Sequence, residues 1–451
     1  MVQEKTIEKL EDSAVKLSIT VPAEEVRKAY DDLVKKYAGS AQIKGFRKGK
    51  VPRDILERKF GDGFRAEAVQ DLVESALQEV FQEIEERPLP YARPSLVDEE
   101  LELEPEKSLS FSVTYDIFPE VEPGPYEGLT VHEPKVKITS EDEDREIEEL
   151  RQQNALVIEK EDGAVAQGDI VTMHFEEVDG SDAPIAETRR EDFTFTLGSS
   201  HNYYHLDEEL VGMKKDETRI IEKEFPADFD HEELQGQKKR IRVTIAQIKE
   251  RDVPELDDEL AQDVSDDFET LEDLRKDVRR RLEENVKNRV RTLQVDELVG
   301  KILEKSTVPV PASMVRNELE SSWRGLADQY RATPEQMEQL LTMQGKSRDQ
   351  LFEEWKPAAT ERLRKSLLVQ KLIETEKIEV GDDEAEERIR ADADERNVDP
   401  EQVLEYYRNN NMLNYIKQDL AEKKLFDTLL ERSTIKPGEK KKYVDLIAEN
   451  S

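Results

Sequence analysis

The sequence contains no cysteine. This absence excludes structural disulfides, catalytic thiolates and zinc sites built on cysteine. Histidine is also scarce, with five residues scattered along 451 positions. Only His201 and His205 have the i, i+4 spacing of a metal-binding pair, which brings two side chains together only within a helix. Their setting, LGSSHNYYHLDEE, is typical of turns and not of a helix, so we expect no metal there. We expect no other cofactor either.

Long apolar runs are absent as well. No stretch reaches the 18 or so apolar residues expected of a membrane-spanning helix. The N-terminal residues, MVQEKTIEKLEDSAVKL, lack the apolar core of a signal peptide. Together these absences predict a soluble, cytoplasmic protein.

Acidic residues dominate the charge. Aspartate and glutamate number 106 against 68 lysines and arginines, for a formal net charge of −38. Such a chain repels phosphate, which argues against general adhesion to nucleic acid or membranes. Its 36% hydrophobic and 39% charged residues suit elongated helical parts better than one compact globule. The length predicts about three domains.

The N-terminal part, residues 1–118, has a mixed α/β pattern. Apolar and polar residues alternate over 15–21 and again over 109–117, which predicts two strands. Between them, apolar residues at helical spacing predict helices. One of these is predicted to be short, beginning after Pro52 and ending at Gly61.

The pattern changes twice in the rest of the chain. Residues 119–165 begin with a linker rich in proline and glycine and are predicted to contribute to the C-terminal domain. Short alternating runs separated by turns predict a small antiparallel sheet domain over 166–251. From 252 to 451 apolar residues recur every three or four positions, which predicts helices in a bundle or arms.

Residues 33–53, LVKKYAGSAQIKGFRKGKVPR, form an acid-free window with seven cations. Gly45 and Gly49 permit positive φ, so the chain can turn sharply there. A nucleotide-binding P-loop is excluded, since three residues rather than four separate these glycines. In addition, Val51 stands where a serine or threonine would meet Mg²⁺.

Two interpretations of the window stay open. It is either a solvated turn or a contact tip for a polyanion that projects Phe46, Arg47 and Lys48. Arginine pairs bidentately with carboxylate or phosphate, lysine offers a point charge, and phenylalanine offers an apolar anchor.

The segment GFRKGKVP at 45–52, set between an amphipathic helix and the LERKFG helix, resembles the ribosome-docking signature of the bacterial trigger factor family. FPEVEP, KEDGAVAQGD, LVGMKKDE and RDVPELDDELAQDV are similar to that family's junctions, so the resemblance extends over essentially the whole chain. It implies an N-terminal α/β ribosome-binding domain, a central antiparallel β domain of the FK506-binding (FKBP) type and an elongated all-α C-terminal domain with arms. The implied docking residues are Gly45, Phe46, Arg47, Lys48, Gly49, Lys50 and Pro52.

The resemblance also implies a function. Such a protein is an ATP-independent chaperone that binds nascent polypeptides at the tunnel exit, keeps them open for folding or export, and carries peptidyl-prolyl cis-trans isomerase activity. The implied partners are an exit-site ribosomal protein, nearby rRNA and unfolded nascent chains, with no membrane. Homodimerisation of the free protein is left open.

The family's isomerase pocket is apolar and aromatic. It needs no nucleophile or metal, because it favours the twisted X–Pro amide over the planar one. Where the family reads I-P-G-F, this chain reads Tyr203, Tyr204, His205 and Leu206. This departure leaves two alternatives, a weakened isomerase and a domain retained only as a chaperone surface. The implied pocket residues are Phe175, Phe193, Tyr203, Leu206, Phe229 and Ile241.

Large apolar residues in the helical part are candidates for a client-binding cradle. They are Trp323, Tyr330, Met337, Met343 and Trp355. Methionine adapts to varied partners, although most apolar residues at helical spacing are simply core. Two rival functions also stay open: a prolyl isomerase whose flanking domains only recruit substrate, and an acidic scaffold that binds folded partners.

Overall fold

A computed structural model describes residues 1–44, 46–47, 49–97, 101–160, 163–199, 202–343 and 345–448. The chain forms two compact bodies. The first combines Met1–Glu133 with Thr292–Pro437, and the second combines Pro134–Arg291 with the chain from Gly438 on. The division into 1–118, 119–165, 166–251 and 252–451 stays a prediction.

The N-terminal part of the first body is a sheet covered by two helices. Its sheet is antiparallel, in the order β1-β2-β4-β3. The elements are β1 Glu4–Lys9, β2 Ala14–Val21, α1 Ala23–Ser40, α2 Arg53–Glu83, β3 Ser95–Leu96 and β4 Leu109–Asp116. The predicted alternation in β2 is confirmed, because its odd-numbered residues from Val15 to Val21 are almost fully buried.

Helix α2 differs from the sequence prediction. Gly61 does not end a short helix but lies buried inside one continuous helix of 31 residues. A stripe of buried residues at every fourth position from Phe64 to Val80 continues the face that begins at Leu56. Burial of that stripe outweighs the roughly 1 kcal/mol that a glycine costs within a helix.

The middle part of the chain forms a five-stranded antiparallel sheet in the second body. It is preceded by β5 Thr130–Lys137 and α3 Ser140–Gln153. The sheet elements are β6 Leu156–Glu159, β7 Ile170–Glu177, β8 Arg190–Thr196, the short helix α4 Asp207–Leu210, β9 Thr218–Glu224 and β10 Lys238–Asp252. The long strand β10 pairs with β6, β7 and β9 and is therefore the centre of this sheet.

The C-terminal part is mainly helical, as predicted. Its elements are α5 Asp258–Val264, α6 Leu271–Leu303, α7 Ala312–Gln329, α8 Pro334–Met343, α9 Arg348–Glu376, α10 Asp382–Glu395, α11 Pro400–Asn409, α12 Leu413–Glu431, β11 Thr434–Lys442 and α13 Tyr443–Ala448. Strand β11 is the exception to the predicted helices, and it pairs with β5. Pro437 and Gly438 within it disfavour a helix. None of the helices that the structure describes is long and apolar enough to cross a bilayer.

The helical part of the first body has its own core. Residues of α6, α9 and α12, including Leu298, Leu368 and Leu425, are fully buried in it. Val121, in the predicted linker, and Val131, in β5, pack into the same core. These two residues therefore anchor the segment 121–131 to the helices.

A polar contact strengthens this anchor. Glu297 on α6 accepts hydrogen bonds from the backbone N–H of His132 and from Lys301 Nζ, at 2.7 and 2.6 Å, and its other neighbour is His132 Nδ1 at 2.7 Å. Lys301 Nζ also donates to the Thr130 carbonyl at 2.6 Å. Burial alone would raise the pKa of Glu297, but the hydrogen bonds from Lys301 and His132 lower that pKa to about 2.

Replacing this carboxylate tests its contribution. We expect Glu297→Gln to lower the free energy of unfolding at pH 7 by about 1.5–3 kcal/mol, the usual range for hydrogen bonds to a charged group. Because the folded pKa is depressed, the stabilisation is present above the ordinary pKa and is lost as pH falls toward about 2. The difference between the variant and the wild type should therefore shrink at pH 3. Urea unfolding followed by tryptophan fluorescence measures this, with Glu304→Gln as an exposed control.

Candidate functional site

The basic loop, residues 41–52, joins α1 to α2. It starts where the Ala41 N–H donates to the Tyr37 carbonyl at 2.8 Å, and it ends at Pro52, which precedes the first turn of α2. Val51 is buried in the core of the N-terminal part, and Ile43 packs against that core. The loop is thus held at both ends by apolar contacts.

Backbone hydrogen bonds turn the loop sharply. The N–H groups of Phe46 and Lys50 donate to the carbonyls of Ile43 and Arg47 at 3.0 and 2.9 Å. Gly49 has φ +74°, and a Cβ at this position would lie 3.0 Å from the Gly39 carbonyl oxygen. A larger residue at position 49 would therefore be strained and crowded.

In the folded chain, carboxylates from outside the acid-free window lie close to some of its cations. Arg53 contacts Asp31 and Glu57 at 2.6 and 2.7 Å. Lys36 lies 3.5 Å from Glu67, whose other oxygen accepts from the Tyr37 hydroxyl. Lys35 pairs with Asp32 in the same way, at 3.3 Å. The cations on the two helices are therefore largely compensated by neighbouring carboxylates.

The cations of the loop itself differ. Over the described ranges, Lys44, Arg47 and Lys50 have no carboxylate within ion-pair distance and are exposed. Phe46 lies beside them with 40% of its surface exposed. Gly45 and Lys48, also predicted to belong to the site, lie outside the described residues. The loop therefore presents uncompensated positive charge next to an exposed aromatic ring.

The middle part of the chain contains a cluster of aromatic rings. Phe175 contacts Phe193 and Tyr204 edge-to-face, with ring centroids 5.6 Å apart in both pairs. Tyr204 in turn contacts Tyr203 at 4.9 Å and Phe225 at 6.2 Å. Among the described residues, ring contacts of this kind join Phe175, Phe193, Phe195, Tyr203, Tyr204, His205, Phe225, Phe229 and His231 into one ring cluster.

Four of the predicted pocket residues, Phe175, Phe193, Tyr203 and Phe229, come together in this cluster. The other two, Leu206 and Ile241, are fully buried in the hydrophobic core beneath it. The predicted pocket residues did not include Phe195, Tyr204, His205, Phe225 or His231. Of these, Phe225 and His231 follow β9 in a turn-rich segment. The isolated aromatic residues of FPADFDHEE were the available signal.

Tyr204 lies at the centre of the cluster and carries a buried polar contact. Its hydroxyl donates to Glu177 at 3.0 Å, and Glu177 also accepts from Lys239 Nζ at 2.9 Å. Burial and then the Glu177 carboxylate raise the pKa of Tyr204 well above its ordinary value. The phenol therefore stays protonated and keeps donating its hydrogen bond.

His205 has an unusual backbone conformation. Its φ is +48°, in the left-handed region that favours glycine, and glycine is the residue expected here from the family pattern. Lys223 Nζ donates to the His205 carbonyl, and the imidazole lies 4.8 Å from the Phe229 ring. A histidine at this position thus has a strained backbone, but its ring packs against Phe229 and extends the aromatic cluster.

The described residues contain no group of three or more side chains suited to hold a metal ion. His201, one member of the spaced histidine pair, lies outside the described residues. His205 instead has Asp230 as its charged neighbour, with Nε2 3.8 Å from a carboxylate oxygen.

The five cradle candidates occupy different environments. Trp323 and Met337 are buried in a small core with Ala327. Trp355 is half-buried beside that core, while Tyr330 and Met343 are 64% and 85% exposed. Of the five, only Trp355, Tyr330 and Met343 therefore present substantial surface to solvent.

One further contact extends the small core. The Arg348 guanidinium lies over the rings of Trp323 and Phe352, 5.6 and 4.7 Å from their centroids. It also pairs with Glu320 on α7. This cation–π contact and ion pair tie α9 to α7.

Comparisons with known proteins cover the whole chain. The model of the bacterial trigger factor protein (TF) matches residues 3–150, and the model of its C-terminus matches 270–431. The model of FKBP-type peptidyl-prolyl cis-trans isomerases matches 161–249. The two trigger factor models thus flank the segment that holds the ring cluster.

Individual relatives agree with the family models. The chain is 37% identical to the trigger factor of Treponema denticola over 452 residues, covering 100% of both chains. It is 31% identical to that of Borreliella burgdorferi, covering 99% of both. A solved structure of the trigger factor chaperone aligns with 95% of this chain and 99% of its own, at 23% identity and a TM-score of 0.46.

The strain at His205 can be measured with a matched pair of variants. His205→Ala and His205→Gly both remove the imidazole, but only glycine relieves the left-handed backbone. We expect the glycine variant to be more stable by about 1 kcal/mol. Hydrogen exchange of the β7 and β10 amides in the intact chain gives the local free energy of opening. Equal stability of the two variants would contradict the left-handed conformation.

Proposed function

The chain belongs to the bacterial trigger factor family, and we propose that its basic loop is the surface with which it docks on the ribosome. It is a chaperone with an FKBP-type prolyl isomerase domain. Members of this family bind the ribosome and nascent chains. An isomerase whose flanking domains only recruit substrate is not favoured, because both flanking parts match trigger factor models.

The observation that carries the docking proposal is the set of uncompensated charges around Phe46. Lys44, Arg47 and Lys50 stand out in a chain of net charge −38 because no carboxylate of the described residues pairs with them. Salt screens exposed charges over about 8–10 Å, so the acidic body has a weak effect on a partner at the loop. The loop is thus suited to approach the ribosome closely.

The side chains of the loop suggest two kinds of contact, an apolar one through Phe46 and a charged one through Arg47. Phe46 would enter an apolar depression on a ribosomal protein at the tunnel exit, where a desolvated aromatic ring gives most energy. Arg47 would pair with a carboxylate of that protein or with a phosphate of nearby rRNA. Gly49 and Pro52 would fix the turn, while Lys48 and Lys50 would add point charges.

Client binding is proposed for the helical part. Tyr330, Met343 and the open side of Trp355 would contact apolar segments of a nascent chain through weak, distributed contacts. Such binding delays premature burial and needs no nucleotide, since a client is released at equilibrium. A cytoplasmic location follows from work at the ribosome, and homodimerisation of the free chain stays a prediction.

The ring cluster is the proposed isomerase pocket. Phe175, Tyr204 and Phe225 would form its floor, with Tyr203 and Phe229 at the rim. Tyr203 is 36% exposed, and its hydroxyl lies 3.3 Å from Glu233. Because the floor includes a phenol held by Glu177, the pocket is more polar than an all-phenylalanine one, and we expect a weakened activity.

Docking is tested by a double variant, Phe46→Ala with Arg47→Ala. We expect co-sedimentation with ribosomes to fall at least about tenfold, because an aromatic anchor and a charge contact are lost together. The binding of the wild type should also weaken as salt rises.

The matched control is Lys59→Ala with Phe60→Ala. It removes a cation and an aromatic ring of similar exposure, 43%, from α2 in the same part of the chain. Equal losses in the two double variants, or no loss in either, would contradict docking through the loop.

The pocket is tested by Tyr203→Ala. We expect the kcat/KM on a short X–Pro peptide to fall about tenfold, equivalent to about 1.4 kcal/mol of transition-state binding. Stability should change little, because the ring is partly exposed. A protease-coupled assay measures the rate, with Tyr415→Ala as a control at an exposed tyrosine outside the cluster. A wild-type rate equal to buffer, or an unchanged rate in the Tyr203 variant, would refute this assignment.

A further inference from the structure

We propose that strands β5 and β11 carry a second polyanion-binding surface, which contacts the phosphate backbone of RNA. The surface, here termed the lysine ribbon, consists of Lys135 and Lys137 on β5 with Lys440 and Lys442 on β11. All four lysines belong to the second body, whereas the basic loop belongs to the first. The ribbon is therefore a separate candidate site.

The composition of β11 is unusual for this chain. Its residues, TIKPGEKKK, include four lysines and one acid, Glu439, whereas acids outnumber cations 106 to 68 overall. The paired strand β5 adds Lys135 and Lys137. Two stretches about 300 positions apart in sequence thus bring their lysines to one small sheet.

Contacts at the two ends of β5 and β11 show how the strands run. Near their starts, the Thr434 N–H donates to the Leu129 carbonyl at 2.8 Å. Just past the end of β11, Tyr443 packs in one apolar cluster with Val136 of β5 and with Ile138, which directly follows β5. Both strands therefore run in the same direction, which places the two lysine pairs beside each other at the same end.

The lysines also share a face. Val136 and Tyr443 point into the core of the second body, and Lys441 is half-buried. Their neighbours Lys135, Lys137, Lys440 and Lys442 are exposed and so lie on the opposite face. Residues two apart on a strand are separated by about 6.6 Å, close to the spacing of successive phosphates on one nucleic-acid strand.

None of these four lysines has a carboxylate within ion-pair distance among the residues that the structure describes. Nearby cations of the same body are compensated. Arg275 and Arg279 on α6 pair with Asp144 and Glu143 on α3 at 2.8 and 2.7 Å. The ribbon is therefore a local positive field that its neighbours leave uncompensated.

Lysine chemistry favours RNA over an acidic protein surface. The ribbon's compact point charges suit a regular row of phosphates, and the four residues include no aromatic or arginine side chain of the kind that anchors protein–protein interfaces. It also presents no aromatic ring for stacking on bases, so contact with the phosphate backbone, independent of sequence, is expected. That this RNA belongs to the ribosome rests on the proposed function, but the binding itself can be tested with free RNA.

The test compares two quadruple variants of the full chain by fluorescence anisotropy with a labelled RNA hairpin at several salt concentrations. The ribbon variant changes the four ribbon lysines to Gln. The control makes the same change at four other lysines, each in a helix or just after one. No ion pair is described for any of these four, which are Lys287, Lys305, Lys365 and Lys423. Both variants alter net charge equally, so the comparison isolates position from charge.

We expect the ribbon variant to bind RNA at least about tenfold more weakly at 50 mM salt, and its salt slope to fall by roughly three, as loss of four phosphate contacts implies. The control should stay within about twofold of the wild type. Equal weakening of both variants, or no RNA binding by the wild type, would overturn the proposal. So would a ribbon variant that loses binding to polyglutamate but keeps binding to RNA. Since free RNA is the probe, failure here leaves the Phe46 and Arg47 test of ribosome docking unaffected.

Discussion

The excess of acid over base is the constraint on which the surface chemistry of this chain depends. With 106 acidic residues, a carboxylate is available to many cations, and Arg53 and Arg279 each lie against more than one. A cluster of cations without carboxylate partners in the described part of the chain is therefore the exception. The basic loop and the lysine ribbon are two such clusters, one in each body. A polyanion can approach at these places without meeting the acidic field at full strength.

The loop also shows why a sequence window is an incomplete guide to charge. The window 33–53 has no acid, yet Asp31 and Glu67 come within ion-pair distance of its cations because α1 and α2 pack side by side. Which cations remain uncompensated depends on this packing. The turn itself was predictable from Gly49, whose positive φ the structure confirms.

Long-range pairing sets the other limits of prediction. The helix predicted to end at Gly61 continues, because burial of the apolar residues that follow Gly61 stabilises it. Strand β11 has no alternation of apolar and polar residues, so the sequence periodicity could not predict a strand there or its pairing with β5. In the ring cluster, the aromatic types were visible in sequence, but the central place of Tyr204 depends on its bond to Glu177. His205 keeps a conformation suited to glycine because its ring and carbonyl both have partners.

Docking requires that the loop, and Phe46 in particular, touches the ribosome. A photo-crosslinking amino acid placed at position 46 of the full chain tests it most directly, with the same label at position 60 on α2 as the comparison. Docking through the loop predicts crosslinks to ribosomal protein from position 46 and few or none from position 60. Equal crosslinking from both positions, or crosslinking from position 60 alone, would contradict it.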